Sequence, residues 1–142
     1  MKKNSHTLLE KSISKRPKNF FPVFAGVLFL DQLLKYIFLK SGQFQKNYAA
    51  LFGFAVDPLL STGALILFLV GTSYYLRNRK DAALFAVPLA LILAGIFSNT
   101  IDRLRAGFII DYIRLSDIYV FNLADLAILL GATFFIWRII KK

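Results

Sequence analysis

Four long apolar segments, separated by short polar stretches, form the main pattern of this chain. The segments cover residues 20–39, 58–76, 82–101 and 123–140. Each is long enough to cross a bilayer, because a spanning helix needs about 20 mostly apolar residues. Asp57-Pro58 is typical of a helix start, and Pro88 predicts a kink inside the third helix. The pattern therefore predicts an all-α membrane protein with four transmembrane helices.

The composition agrees with a membrane protein and excludes several kinds of chemistry. Of the 142 residues, 57% are hydrophobic and 18% are charged, whereas about 25% of residues in average globular chains are charged. Cysteine is absent, so there is no disulfide, thiol nucleophile or cysteine-ligated metal. The only histidine, His6, lies in a basic tail. A Ser-His triad or a histidine-built zinc site would therefore need residues that the chain lacks.

Lysine and arginine are concentrated at three places that four spans put on one side of the membrane. The chain has 18 Lys+Arg against 8 Asp+Glu, and the basic residues gather in the tail 1–19, in the connection 77–80 and in residues 138–142. By the positive-inside rule this side is cytoplasmic, so both termini are expected there. Residues 20–142 are expected to form one four-helix membrane domain. Topology and contact with membrane lipid account for the basic excess, so no nucleic-acid partner is expected.

Most of the acidic residues are predicted to lie on the opposite side. Six of the seven aspartates fall in the outer half of the spans or in the outer loops, namely Asp31, Asp57, Asp102, Asp111, Asp117 and Asp125. A carboxylate inside a span costs about 2.5–3.5 kcal/mol, so each needs a partner or a purpose. Asp31 and Lys35 are one helical turn apart and can neutralise each other. We interpret this pair as support for the helices rather than as catalytic groups.

Further polar residues gather where the third span ends. Asn99, Asp102 and Arg103 can share one helix face, with Gly95 one turn below them. Because Gly95 has no side chain, another helix or a substrate backbone could approach there. Taken alone, this pattern is also typical of a polar helix end near a membrane interface.

Two isolated carboxylates approach the outer edge of the membrane from one loop. Asp111 follows an extended β-branched stretch, and Asp125 lies three residues after Asn122 in a capping arrangement. Two carboxylates held close together cannot both ionise, so one can activate water while the other polarises a carbonyl and protonates a leaving amine. Such a pair hydrolyses peptide bonds without cysteine, histidine or metal. Spacing alone does not choose which two of Asp102, Asp111 and Asp125 form it.

Three other functions are compatible with these residues. Intramembrane acids and a lysine could form an ion path in a transporter, but no span carries an acid in its cytoplasmic half. A Ser-Lys peptidase could use Ser98 or Ser41 with Lys35, but this mechanism needs a neutral lysine next to Asp31. In a purely structural membrane subunit, the acids would act only as caps and ion pairs.

Five polar motifs, taken in order, resemble those of lipoprotein signal peptidase (signal peptidase II), a bacterial aspartyl protease of the membrane with four helices. The motifs, with the family patterns that they resemble, are Asp31-Gln-Leu-Leu-Lys35 (D-Q-x-x-K), Asn47-Tyr-Ala-Ala-Leu-Phe52 (N-x-G-x-A-F), Ser98-Asn-Thr-Ile-Asp-Arg103 (G-N-x-x-D-R), Gly107-Phe-Ile-Ile-Asp111-Tyr-Ile (G-x-V-V-D-F-I) and Phe121-Asn-Leu-Ala-Asp125 (F-N-x-A-D). Five motifs in this order are far more specific than any one of them.

The resemblance implies a function and a set of site residues. Asp111 and Asp125 correspond to the catalytic dyad. The residues that would line the site and hold substrate backbone are Asn47, Asn99, Arg103 and Asn122, and those that would brace it are Asp31, Lys35 and Asp102. The implied substrate is a prolipoprotein whose cysteine carries diacylglycerol, cleaved just before that cysteine by an enzyme of the bacterial cytoplasmic membrane with its active site at the extracytoplasmic face. No cofactor or metal is implied, a small extracytoplasmic β-rich elaboration accompanies the helices, and a monomer is expected.

Several positions depart from the family pattern. Ala49 and Ser98 stand where glycine is expected, Leu51 stands where a small residue is expected, and only 13 residues separate Asp111 from Asp125. A Cβ at a glycine position forbids some backbone conformations or narrows a groove. These departures concern substrate shape and loop geometry more than reaction type. A divergent, non-catalytic or transport-type membrane protein is the alternative function.

Overall fold

Four long helices form the frame of the protein. The computed structural model describes residues 19–48, 58–77, 81–116 and 119–141, with the backbone alone over 58–66. The helices are α1 (Phe20–Ser41), α2 (Pro58–Leu76), α3 (Ala86–Ala106) and α4 (Leu123–Ile140). Three helical stretches are long and apolar enough to cross a membrane, namely 20–41, 82–106 and 123–140, and α2 contributes the shorter apolar stretch 67–76. The predicted all-α membrane fold is confirmed.

Some sequence predictions fall outside the described residues. They concern the basic tail, the helix cap at Asp57, and the departures at Ala49 and Leu51.

Both ends of α3 differ from the predicted ones, and α1 ends two residues later than predicted. A 3₁₀ turn (Ala82–Phe85) precedes α3, so Pro88 lies in the first turn of the α-helical part, where its missing N–H is not needed. The helix therefore changes from 3₁₀ to α geometry two residues before the proline. At its other end α3 continues to Ala106, five residues beyond the predicted end, and stops at Gly107, whose φ of +79° is left-handed and suits glycine.

Polar side chains lie inside this frame and large apolar side chains lie outside. The buried polar and charged residues among those described are Asp31, Lys35, Ser98, Asn99, Asp102, Asp111 and Asn122. In contrast, Phe21, Leu67 and Tyr74 are 74–82% exposed. This distribution is the one expected for helices whose outer surface contacts lipid instead of water.

α3 is the central helix and packs against both α1 and α4. Two glycines allow α3 and α4 to approach closely. A Cβ on Gly95 would collide with the backbone carbonyl oxygen of Ala124, and a Cβ on Gly131 would lie 2.7 Å from the carbonyl oxygen of Pro88. The small residue predicted to admit a neighbour at position 95 therefore admits helix α4.

Two small antiparallel sheets lie where α1 and α3 end and α4 begins. β1 (Gln45–Asn47) pairs with β2 (Ile109–Asp111), with Gln45 opposite Asp111. β3 (Ile113–Arg114) pairs with β4 (Val120–Phe121), with Ile113 opposite Phe121. The sheets thus bring the connections around Asn47, Asp111 and Asn122 to one end of the helices.

Replacing Gly131 with alanine tests the close packing of α3 and α4. We expect Gly131→Ala to lower the free energy of unfolding by about 1–3 kcal/mol, because backbone atoms of α3 occupy the space that the methyl group needs. Thermal unfolding of the purified protein in detergent measures the change. Gly26→Ala is the matched control, since nothing lies within 4 Å of a Cβ at that position. An equal change in the two variants would contradict the packing argument.

Candidate active site

The ammonium group of Lys35 is the centre of the buried polar cluster. Its Nζ lies 2.8 Å from Asp31 Oδ2 and 2.8 Å from Asp102 Oδ2, and it donates to Asn99 Oδ1 at 2.8 Å. Lys35 is only 1% exposed. An ammonium has three hydrogens and no acceptor, so these three partners use all of its donors. The predicted Asp31–Lys35 ion pair is present, and Asp102 makes it a triad between α1 and α3.

Asp102 connects this triad to strand β2. Its Oδ2 also accepts from the backbone N–H of Ile110 at 3.2 Å, next to Asp111 in the chain. Its Oδ1 accepts from Gln32 Nε2 at 3.0 Å, and the Gln32 amide also reaches Ser98 Oγ at 2.8 Å. Both oxygens of Asp102 therefore bind the triad, Gln32 and β2. In this respect Asp102 differs from the other two candidate acids, Asp111 and Asp125.

Asp111 is held by two asparagine amides. Asn47 Nδ2 donates to its Oδ2 at 2.8 Å, and Asn122 Nδ2 donates to its Oδ1 at 2.7 Å. The carboxyl group is only 2% exposed. Asn47 on β1 and Asn122 before α4 thus fix the acid from both sides.

Asp125 is held by the residue that also contacts Asp111. The backbone N–H of Asn122 donates to Asp125 Oδ2 at 3.3 Å, and the N–H of Asp125 donates to Asn122 Oδ1 at 2.9 Å. This is the predicted capping arrangement at the start of α4. Asn99 Nδ2 donates to Asp125 Oδ1 at 2.9 Å. Asn122 therefore contacts both carboxyl groups, through its side chain and its backbone respectively.

The surroundings of Asp111 favour its protonated form. Burial raises the pKa of Asp111 from 3.8 to about 6, and the nearby charge of Asp125 acts in the same direction. The amides of Asn47 and Asn122 oppose this shift, because they stabilise the ionised form. A carboxyl group whose pKa lies near neutrality can both give and accept a proton, as an acid catalyst must.

The contacts described above join eight of the predicted site residues into one cluster. Arg103 lies in the last turn of α3 and is partly exposed, beside the buried Asp102. Two further residues contact this cluster although the sequence indicated no role for them, namely Gln32, which belongs to the first motif, and Tyr112. The Tyr112 hydroxyl donates to Asp31 Oδ1 at 3.0 Å. Among the described residues no group of three or more His, Cys, Asp or Glu side chains could hold a metal ion.

A family model described as signal peptidase (SPase) II matches residues 23–141. The chain belongs to the signal peptidase II family. The resemblance based on the five motifs is thereby confirmed, and with it the assignment to a family of membrane proteases.

Individual relatives agree with the family over most of the chain. The lipoprotein signal peptidase of Syntrophus aciditrophicus (strain SB) is 34% identical over 163 aligned positions, covering 90% of this chain and 96% of that protein. The lipoprotein signal peptidase of Moorella thermoacetica (strain ATCC 39073 / JCM 9320) is 32% identical over 133 positions, covering 80% of this chain and 87% of that protein.

Solved structures share the fold. A bacterial membrane enzyme determined by the in meso method at 2.3 Å resolution matches with a TM-score of 0.72 and 23% identity, covering 87% of this chain and 88% of that chain. A second one, at 1.9 Å resolution, matches with a TM-score of 0.70 and 22% identity, covering 87% and 94%. These two structures support the fold of this member of the signal peptidase II family.

Removing the central ammonium should destabilise the protein strongly. Lys35→Met would leave Asp31 and Asp102 buried without their cation, and breaking a buried ion pair in this way costs about 3–5 kcal/mol. Thermal unfolding in detergent measures the loss. Lys40→Met, an exposed lysine in the last turn of α1, is the control. A melting temperature for Lys35→Met equal to that of the control would contradict the central role of this ammonium.

The raised pKa of Asp111 predicts how stability depends on pH. The folded state keeps the proton up to about pH 6, whereas the unfolded chain releases it near 3.8. Between these values the folded state binds more protons, so stability falls as pH rises, by about 3 kcal/mol in total. Between pH 4 and pH 7 we expect the stability of the parent to fall by about 2 kcal/mol more than that of Asp111→Asn.

Melting temperatures of the parent and of Asp111→Asn at pH 4 and pH 7 provide this comparison. Titratable groups that do not interact with Asp111 behave alike in both proteins, so their effects cancel in the difference. The same pH dependence in both proteins would mean that the pKa of Asp111 is not raised.

Proposed function

We propose that Asp111 and Asp125 are the catalytic pair with which this member of the signal peptidase II family removes signal peptides from prolipoproteins. The substrates are diacylglyceryl-modified bacterial prolipoproteins, and the cut falls just before the lipid-modified cysteine. The observation that carries this proposal is that the amide and the backbone of Asn122 hold the two carboxyl groups side by side. Membership of the family supports the reaction, since its relatives are lipoprotein signal peptidases.

The two acids have different roles in this mechanism. We assign the shared proton to Asp111, because it is only 2% exposed whereas Asp125 is half-buried. Asp125 is then the ionised member. It takes a proton from water, and the water oxygen attacks the carbonyl carbon of the scissile bond while Asp111 polarises the carbonyl oxygen. When the carbon–nitrogen bond breaks, the leaving amine receives a proton from the pair.

The asparagines around the pair are suited to hold substrate backbone. Asn47 and Asn99 each donate to one carboxyl group of the pair, so both amides lie where the backbone of a bound substrate would reach the two acids. With Asn122 and Arg103 they form the proposed binding residues. Asp31, Lys35 and Asp102 are the proposed brace, because they touch the pair only through intermediate groups.

The membrane arrangement is part of the proposal. We infer four spans in a single peptidase domain over residues 20–142, with both termini cytoplasmic and the active site at the extracytoplasmic face. The support is that the site lies at the ends of α1 and α3 away from the basic connection 77–80. A diacylglyceryl anchor would hold the substrate in the adjacent leaflet. The anchor would thereby place the scissile bond near the pair. One chain supplies every proposed site residue, which suits a monomer.

The competing mechanisms find less support in the contacts. Ser98 Oγ donates to Asp31 at 2.6 Å, and the hydrogens of Lys35 are used by three acceptors, so this lysine has no lone pair for a Ser-Lys mechanism. Ser41 is exposed and donates to the carbonyl oxygen of Phe38.

A transport path would need polar groups along the whole length of a helix, whereas residues 82–97 of the central helical stretch are uncharged.

Substituting either acid should abolish cleavage. We expect Asp111→Asn and Asp125→Asn each to lower kcat by about a thousandfold or more, because each removes a proton-transfer step, and general acid–base groups contribute about 10²–10⁴-fold. The assay measures release of the signal peptide from a diacylglyceryl-modified prolipoprotein by the purified protein.

Asp81→Asn is the matched control for this experiment. Asp81 lies before the 3₁₀ turn, at the opposite end of the helical stretch from the site, roughly 30 Å away at 1.5 Å per residue. We expect activity close to that of the parent. Cleavage by both site variants at the rate of the parent would overturn the assignment of the pair, and Asp102→Asn would then be the next variant to assay.

A further inference from the structure

The carboxylate of Asp31 is the most heavily bound group of the proposed brace. It is 0% exposed. Its Oδ2 lies 2.8 Å from Lys35 Nζ and accepts from Ser98 Oγ at 2.6 Å. Its Oδ1 accepts from the Tyr112 hydroxyl at 3.0 Å and from the backbone N–H of Ala124 at 3.1 Å. Four donors therefore fix both oxygens, and the side chain has one orientation.

Each partner of Asp31 outside α1 is the chain neighbour of a residue at the proposed active site. Ser98 precedes Asn99, which binds Asp125. Tyr112 follows Asp111, and Ala124 precedes Asp125. Asp31 therefore contacts three segments of the site, and in each segment it contacts the residue next to the functional one. A displacement of this carboxylate would be transmitted to the pair through one peptide unit.

Two of these partners are residues that depart from the family motifs quoted above. Ser98 stands at a glycine position, and Tyr112 stands at a phenylalanine position of the motif around Asp111. Both departures add a hydroxyl group, and both hydroxyls donate to the same carboxylate, one to each oxygen. The two hydroxyl groups come from different elements and meet at one acceptor.

Tyr112 also connects the strand region to helix α4. Its hydroxyl oxygen accepts from the backbone N–H of Leu123 at 3.1 Å, while its ring stacks on Phe38 with a centroid distance of 4.8 Å. Burial raises the pKa of the phenol, so the hydroxyl keeps its proton and can donate to Asp31. One hydroxyl thus links α1, the segment after Asp111 and the first turn of α4.

We propose that Ser98 and Tyr112 are coupled positioning residues, whose hydroxyl groups hold Asp31 so that it sets the relative position of Asp111 and Asp125. Neither residue touches the substrate or the reacting atoms, and both act through Asp31. The inference rests on the proposed function, because it assigns these hydroxyls to the geometry of that catalytic pair.

The test is a double-mutant cycle on cleavage of a diacylglyceryl-modified prolipoprotein. Tyr112→Phe and Ser98→Ala each remove one hydroxyl and keep the ring or the helix. We expect each to lower kcat by about tenfold, which corresponds to the loss of one hydrogen bond to a charged group. KM should stay within about twofold of the parent, because the substrate makes no contact with either hydroxyl.

The double variant tests the coupling between the two residues. Either hydroxyl alone still holds one oxygen of Asp31, whereas removal of both leaves the carboxylate to Lys35 and one backbone N–H. We therefore expect the loss of kcat in the double variant to exceed the product of the two single losses. A loss equal to that product would mean that the residues act independently, which overturns the coupled role.

Controls separate positioning from stability. Tyr74→Phe and Ser73→Ala remove exposed hydroxyls on α2 and should leave kcat unchanged. Melting temperatures identify any variant that is partly unfolded at the assay temperature, and Ser98→Cys, whose thiol is only a weak donor, replaces Ser98→Ala if alanine unfolds the protein. A second readout is amide hydrogen exchange at Leu123 and Ala124, which should be about tenfold faster in Tyr112→Phe.

Asp111→Asn, assayed beside these variants, distinguishes the two possible failures. If Asp111→Asn is inactive while Tyr112→Phe and Ser98→Ala cleave with the kcat of the parent, the positioning role fails and the proposed function stands. If the parent does not cleave, or Asp111→Asn cleaves as the parent does, the proposed function fails and the positioning role fails with it.

Discussion

The structure depends on the requirement that a buried ammonium find three acceptors. Lys35 lies inside the helix frame, where an unpaired charge would cost several kcal/mol. Its acceptors are Asp31 one turn before it on α1, and Asn99 and Asp102 on α3. Satisfying this one group therefore fixes the rotation and height of α3 against α1. The amide nitrogen of Asn99 then donates to Asp125, and the carboxylate of Asp102 accepts from the backbone of strand β2.

The brace and the proposed catalytic pair use different kinds of donor. In the brace, Asp31 and Asp102 each lie 2.8 Å from the ammonium of Lys35. Around the pair the donors are neutral groups, namely the amides of Asn47, Asn99 and Asn122 and a backbone N–H. Neutral donors orient a carboxyl group without cancelling its charge, so burial prevails at Asp111 and its pKa reaches about 6. This division lets four acids in one small region, three of them buried, serve two purposes.

The sequence was sufficient for features that depend on local spacing. Apolar runs predicted the helices, the four-residue spacing predicted the Asp31–Lys35 pair, and the three-residue spacing predicted the cap formed by Asn122 and Asp125. Contacts between distant segments were beyond its reach. Gln32 and Ser98 are 66 residues apart, and no periodicity of either helix indicates that they meet. For the same reason spacing could not separate Asp102 from the other acids, whereas its contacts with Lys35 and Gln32 do.

The fold shows how the short stretch between Asp111 and Asp125 brings the two acids together. β3 and β4 form a tight antiparallel pair, and the backbone N–H of Tyr112 donates to the carbonyl oxygen of Phe121 at 3.1 Å. Because of this pairing the chain returns to the position of Asp111, and Asn122 Nδ2 lies 2.7 Å from Asp111 Oδ1. Closing a short loop costs little conformational entropy. The nearness of the two acids is therefore encoded locally by this hairpin, while their orientation is imposed from a distance by Lys35 and Asp31 on α1.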